Sequence, residues 1–265
     1  MSKTLVQHQF GANAANYSTS AVHAKGASLG RLVELVKPGK GWNVLDIATG
    51  AGHTAAAFAP YVAKVVASDL TPEMLAEARK LAEAKGFANM ETAAADAEQL
   101  PFDDQSFDLV TCRIAPHHFP DVAAFVAESW RVLKPGGRFA LVDNVAPDRD
   151  TAPGFSDSEY PEAAAAYNAF EKLRDPSHAR ALSTAEWLDL MVERGFDVLH
   201  KEHAPKAMDF AAWCNNMAVA EETVSRLRSM LADASPALQA YLQPRTEDGE
   251  PTFTLIELIA VARKP

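Results

Sequence analysis

Only two cysteines, Cys112 and Cys214, occur in the 265 residues. They are far apart and in no metal or redox spacing, which excludes a disulfide framework or a cysteine metal centre and leads us to expect a reducing, cytoplasmic compartment. Long apolar runs are also missing. No stretch approaches the ~20 residues of a membrane span, and the N-terminus MSKTLVQHQFGANAANYSTS has no apolar signal core. Positive charge is in deficit: 25 Lys and Arg against 35 Asp and Glu leave a net charge of −10, which repels phosphate backbones and anionic membranes. Nucleic acid and membrane are therefore poor partners. There is no internal repeat, charge block or low-complexity linker, and 48% hydrophobic residues is an ordinary globular composition that can bury a large core.

What is present alternates between strands and helices. Trp42 to Ile47 and Lys64 to Asp69 are short apolar, β-branched runs that read as buried parallel strands. Thr54 to Tyr61 reads as a helix, and Thr71-Pro72-Glu73 opens a second one that Gly86 stops. Met90 to Ala95 is a weaker strand and Phe107 to Cys112 a strong one; Val122 to Leu133 is an amphipathic helix. Lys134-Pro-Gly-Gly137 reads as a stop before a strand over Arg138 to Asp143. This order predicts an α/β fold with a parallel sheet covered on both faces. Beyond Asp143 the pattern turns helical, at Glu162 to Leu173, Thr184 to Arg194, Phe210 to Asn216 and Glu221 to Leu231, with strand candidates only at Asp197 to His203 and Phe253 to Arg263. The expected organisation is an N-terminal lid segment (1–30), a cofactor-binding core (31–145) and a helical substrate cap with the closing strands of the same sheet (146–265).

The stretch NVLDIATGAGHTA (43–55) matches the dinucleotide pattern G-x-G-x-x-G/A through Gly50, Gly52 and Ala55. Asp46, four residues before Gly50, would set a negative charge against a pyrophosphate, which disfavours a nicotinamide oxidoreductase. A ligand with an ammonium or sulfonium suits Asp46, while the glycines give close backbone approach and the next helix's N–H groups take a carboxylate. S-adenosylmethionine has all three groups. Asp69, ending the second strand, can accept both hydroxyls of a ribose, and Asp96, ending the third, an adenine amino group. The three carboxylates line the carboxyl edge of one sheet, where α/β proteins bind ligands.

The series VLDIATGAGHT (44–54), ASDLTPEML (67–75), ADAEQLPFDDQSFDLV (95–110), HHFPD (117–121) and RVLKPGGRF (131–139) resembles the class I S-adenosylmethionine-dependent methyltransferases, and more narrowly their ubiquinone/menaquinone C-methyltransferase-like group. The resemblance implies a doubly wound, Rossmann-like, seven-stranded and mostly parallel sheet of order 3-2-1-4-5-7-6, its last strand antiparallel. Ala48 stands where the family's D-x-G-x-G-x-G has its first glycine; alanine fits if φ there is negative. The family's pattern further assigns Ala48, Gly50 and Gly52 to the methionine turn, Asp69 to the ribose, Leu70 and Met74 to the adenine, Asp96 and Ala97 to its edge, and Arg113 to the methionine end. It also implies a lid carrying Phe10, Tyr17, His23 and Lys25, with Tyr17 on the cofactor.

Methyl transfer is an in-line displacement on an activated carbon, so the protein chiefly aligns and excludes water, and a base serves only an acceptor that must lose a proton. Arg113, His117 and His118 reach the edge where the methyl should point, which makes His117 and His118 the candidate bases; packing and helix capping are their alternative roles. An N/D-P-P-Y/F motif is replaced by Arg113-Ile-Ala-Pro116, so the acceptor is expected to be a small molecule. No metal is expected, since His200 and His203 point to opposite faces of a strand, and Cys112 reads as a buried strand residue. Arg174, His178 and Arg180 either bind an anionic group or solvate a loop. Phe170, Trp187, Phe210, Trp213 and Met217 supply the cap's apolar bulk. A methyltransferase, monomeric or homodimeric, is the leading reading; a non-catalytic cofactor-binding or regulatory protein is the alternative, with an NAD-dependent oxidoreductase behind it.

Overall fold

The apolar runs assemble into one sheet in the computed structural model, which describes residues 3–7, 9–11, 26–247 and 249–265. In chain order the strands are β1 (Asn43–Ile47), β2 (Lys64–Asp69), β3 (Met90–Ala94), β4 (Phe107–Arg113), β5 (Leu133–Asn144), β6 (Asp197–Asp209), β7 (Arg245–Glu247) and β8 (Glu250–Arg263). Their order is β3-β2-β1-β4-β5-β8-β6, with β7 folded back on β8. Setting that short hairpin strand aside, this is the order the family resemblance implies. β1 to β5 pair in parallel. β8 runs against β5: Gly136 N–H donates to Lys264 O and Lys264 N–H to Gly137 O, the reciprocal bonding of antiparallel strands. Val44, Leu45, Leu109, Val110 and Leu141 have no exposed surface, as strands covered on both faces require.

The helices are α1 (Ala27–Val36), α2 (His53–Phe58), α3 (Pro72–Lys85), α4 (Val122–Val132), α5 (Glu159–Arg174), α6 (Thr184–Arg194), α7 (Phe210–Asn215), α8 (Glu221–Ala232) and α9 (Pro236–Leu242). α2 is shorter than the sequence suggests, because Pro60 lacks a helical N–H and the chain tightens into a 3₁₀ turn over Ala59–Tyr61. Thr71 stands at the N-cap of α3 without a side-chain capping bond. Gly86 ends α3 in the left-handed conformation, its N–H on Ala82 O and Glu83 O. The expected stop at Lys134-Pro-Gly-Gly137 is corrected: these residues lie inside β5 as a bulge, where pairing jumps from Phe107 with Leu133 to Leu109 with Arg138. The bonds to Lys264 keep the bulge in the sheet. Asp96 lies beyond β3, in an isolated bridge with Gln99.

The chain forms two compact units: residues 1–143, 188–202 and 259–265, and residues 144–187 with 203–258. The second unit is built on aromatic packing. Trp213 stacks on Phe170 with centroids 4.9 Å apart, meets the edge of Phe253 at 5.1 Å, and lies 4.6 Å from the Arg174 guanidinium. Arg174 also donates to Trp213 O, and buried His178 bonds Asn168 Oδ1 at 2.8 Å. Arg180 pairs with Glu186. Arg174 and His178 thus serve partners within the unit, while Arg180 is exposed. His200 pairs with Glu202, and His203 with Thr184. No described helix is long and apolar enough to cross a membrane, and the described residues contain no cluster suited to a metal ion.

Candidate active site

The turn after β1 is shaped from within. Asp46 is almost wholly buried, and its carboxylate accepts from Thr49 Oγ1 at 2.5 Å, Thr111 Oγ1 at 2.6 Å and the Ala55 N–H at 3.1 Å. Burial pushes its pKa up to about 6, against the lowering effect of the two threonines and of Arg113. Since the raised value belongs to the folded state, what Asp46 adds to stability is full below the unfolded carboxylate value and is lost as pH rises through about 6. At neutral pH it is therefore an anion held by three donors. Asp46 does not line the cavity, and it takes a first-turn N–H of α2 that could otherwise meet a ligand carboxylate.

The expectation of a negative φ at Ala48 is also overturned, since φ there is 49°. A left-handed alanine costs about 1–2 kcal/mol. The neighbouring Thr49 N–H bond to Ser68 O and the Thr49 hydroxyl on Asp46 hold the turn in that conformation. Gly50 and Gly52 are left-handed too, at 54° and 87°, but for different needs. A Cβ on Gly50 would meet nothing within 4 Å, whereas one on Gly52 would lie 2.9 Å from both Ala78 Cβ and Met90 Cε. Gly50 lines the cavity and Gly52 does not; Gly52 lets α3 and β3 pack. We expect Gly52→Ala to lose about 2–4 kcal/mol of stability, from overpacking plus backbone strain, and Gly50→Ala only about 1 kcal/mol. Equal shifts in denaturant midpoint for the two variants would reject this division.

A cavity opens above the carboxyl ends of β1, β2 and β4. Arg113 and Thr54 line it together, Arg113 Nε donating to Thr54 Oγ1 at 3.1 Å. Asp69 follows, with Oδ2 on the Gly50 N–H at 2.9 Å and Oδ1 on the Thr71 N–H at 2.8 Å; burial pushes its pKa up against those donors. Then come Leu70, Met74 and Ala97, with Asp96 beyond. Lys3, Val6 and Phe10 border the same space: Lys3 Nζ lies 2.5 Å from Asp96 and 2.6 Å from Glu98, Gln7 donates to Leu70 O, and the ring of Phe10 meets His118 edge-on at 4.9 Å.

Of the residues expected from sequence, Ala48, Gly50, Asp69, Leu70, Met74, Asp96, Ala97, Arg113 and His118 thus share one cavity; Asp46, Gly52 and His117 lie outside its lining. Tyr17, with His23 and Lys25, lies outside the described residues. His117 turns to Asp143, Nδ1 to Oδ1 2.6 Å, with Asp143 completely buried. Cys112 is buried, its thiol pushed well above its usual range by burial and by the carboxylates of Asp46, Asp143 and Asp69. Sequence reasoning missed Thr54, Thr111 and Ile114. Thr54 directly follows the glycine turn and was within reach of a closer reading. Thr111 needed the strand register, and Ile114, at φ 54° in the cavity wall, gave no local signal.

A model of the methyltransferase domain matches residues 45–141. The crystal structure of BH2331 from Bacillus halodurans, assigned as a methyltransferase, superposes with a TM-score of 0.82 and 40% identity, covering 91% of this chain and 100% of that one. The chain belongs to the class I methyltransferase family. The chain is also 43% identical over 178 residues to the uncharacterised methyltransferase YcgJ of Bacillus subtilis, spanning 67% of its own length and 66% of that relative's. The demethylmenaquinone methyltransferase of Chlorobaculum tepidum is 43% identical over 105 residues, 39% of this chain and 41% of that one.

Proposed function

We propose that the protein transfers the methyl group of S-adenosylmethionine to a small-molecule acceptor. The observation that carries this reading is the order of chemistry along one cavity: a guanidinium with a hydroxyl (Arg113, Thr54), a backbone-anchored carboxylate (Asp69), an apolar stretch (Leu70, Met74, Ala97) and a second carboxylate (Asp96). These suit, in turn, an amino-acid carboxylate, the two hydroxyls of a ribose, the faces of an adenine and its amino group. The residues present therefore fit the cofactor. When bound, it supplies a methyl carbon already activated by a sulfonium. Ala48 and Gly50 allow close backbone approach to its methionine end, and the segment carrying Lys3, Val6 and Phe10 acts as a lid that excludes water. His117 and His118 are the proton acceptors of the reading. Between them, His117 is favoured as the base, because a third group orients it.

Calorimetry tests the cofactor assignment. S-adenosylmethionine and S-adenosylhomocysteine should bind with about −8 kcal/mol, a micromolar Kd, and NAD should not. Asp69→Ala should weaken binding by roughly 1.5–3 kcal/mol, the range of hydrogen bonds to a charged group. Tighter binding of NAD, or full affinity in the variant, would reject the site. A screen of phenols, amines and thiols read by release of S-adenosylhomocysteine then identifies the acceptor.

A further inference from the structure

We infer that Lys3 is a latch for cofactor exchange: its ion pairs with Asp96 and Glu98 hold one helical face of the N-terminal segment over the adenine end of the cavity and set how fast the cofactor enters and leaves. The inference rests on reading the cavity as the S-adenosylmethionine site and adds what controls exchange there.

The segment presents a face to the cavity. Residues 3–7 and 9–11 are helical, and Lys3, Val6, Gln7 and Phe10 fall at i, i+3, i+4 and i+7, the spacing of one side of a helix. Lys3, Val6 and Phe10 line the cavity, whereas Thr4 and Leu5, on the other side, are exposed. This face is anchored beyond three strand ends. Lys3 meets Asp96 after β3, Gln7 donates to Leu70 O at 2.8 Å directly after β2, and Phe10 packs on His118 in the turn after β4. At Gly11 the backbone runs so near α3 that an added Cβ would lie 3.2 Å from the Glu73 carboxylate.

Lys3 supplies the charged anchor. Its Nζ lies 2.5 Å from Asp96 Oδ2 and 2.6 Å from Glu98 Oε2. Both carboxylates are held by the backbone: Asp96 Oδ1 takes the Glu98 N–H at 3.0 Å, and Glu98 Oε1 takes the Asp121 N–H at 2.7 Å. The latch thus closes on a pre-set pair of acids. Burial works against the Lys3 ammonium, but its bonds to the two acids outweigh that and hold its pKa above the usual value. A carboxylate offers about four lone-pair positions. Asp96 engages one donor on each oxygen and can therefore accept an adenine amino group without releasing Lys3. Closure and occupancy are compatible, and the cofactor passes when the ion pairs part. Partly exposed pairs of this kind shift an equilibrium only a few-fold each and are screened by salt, which suits a catch that must open in every cycle.

The test uses Lys3→Met in the whole chain, with Glu98→Gln as a second variant that leaves Lys3 and Asp96 in place. In the cofactor-free protein, amide hydrogen exchange across residues 3–11 should be about threefold to tenfold faster in Lys3→Met than in the wild type. With S-adenosylhomocysteine in stopped flow, association and dissociation rates should both rise by a similar factor, leaving Kd within about twofold. The difference in dissociation rate should shrink as salt rises from about 0.05 to 0.5 M, because screening loosens the wild-type latch. Glu98→Gln should show the same pattern in smaller measure. Equal hydrogen exchange of residues 3–11 in wild type and Lys3→Met overturns the latch without recourse to any cofactor. So does a weaker Kd with an unchanged association rate, which would make Lys3 a cofactor contact and not a gate. A wild type that does not bind S-adenosylhomocysteine rejects the cofactor reading, and with it the role in exchange, while hydrogen exchange still decides the latch.

Discussion

A His117→Ala enzyme is expected to bind S-adenosylmethionine as well as the wild type does and to turn over about 10² to 10⁴ times more slowly, the usual contribution of a positioned proton transfer. Affinity should survive because His117 contributes nothing to the cavity lining, whereas His118 does. His118→Ala should accordingly weaken cofactor binding, removing a wall and the partner of Phe10. The wild-type rate should decline below about pH 6.5, the reference histidine value, as the base becomes protonated, and the His117→Ala profile should lack that limb. An acceptor that is already ionised, such as an acidic phenol or a thiol, needs no base; the limb would then follow the substrate's own ionisation in both enzymes. An unchanged kcat and profile on the true acceptor would remove His117 from the chemistry and leave alignment as the whole of the catalysis.

The half of the fold that holds the cavity was the more legible, for a physical reason. Strands buried on both faces must be apolar throughout, so β1, β2 and β4 announce themselves, and β2 and β4 end in Asp69 and Arg113 where the sheet edge meets ligand space. Long-range pairing hid the rest. Pro135-Gly136-Gly137 carries every local sign of a break, yet stays in β5 because β8 supplies its hydrogen bonds from more than a hundred residues away. β6 continues to Asp209 through Pro205 because it is an edge strand, where a missing N–H is tolerated; its alternating half-burial gives no apolar run to read. α1 has Gly30 mid-helix and no side-chain cap, and α9 is too short to show a period.

The candidate site divides in the same way. Residue types at strand ends predicted which side chains gather, since Asp69, Asp96 and Arg113 all reach one cavity. Orientation did not follow from residue type. Asp46 turns inward because Thr111, 65 residues on, lies opposite it in the β1/β4 register and donates to it. His117 is held through Nδ1 by Asp143 near the end of β5, an acid the sequence showed at the end of a strand like the others and to which no partner could be given.

Replacing Trp213 by alanine should cost about 3–5 kcal/mol of stability, the range for deleting a large buried aromatic. The ring is 2% exposed, stacked on Phe170, crossed by Phe253 and covered by the Arg174 guanidinium, so the variant loses packing on several sides and strands the cation beside a hole. At roughly 2–4 °C per kcal/mol for a chain of this size, the melting temperature should drop by about 10 °C. The residues lining the cofactor cavity all belong to the other compact unit. Below the transition, then, S-adenosylmethionine affinity should be unchanged, and calorimetry should resolve an early transition for residues 144–187 and 203–258. A loss of turnover under those conditions, with affinity intact, would support a role for this unit in holding the acceptor. Parallel loss of affinity and turnover in a folded variant would instead mean that its packing supports the whole molecule, and an unchanged melting temperature would contradict the interior position of the ring.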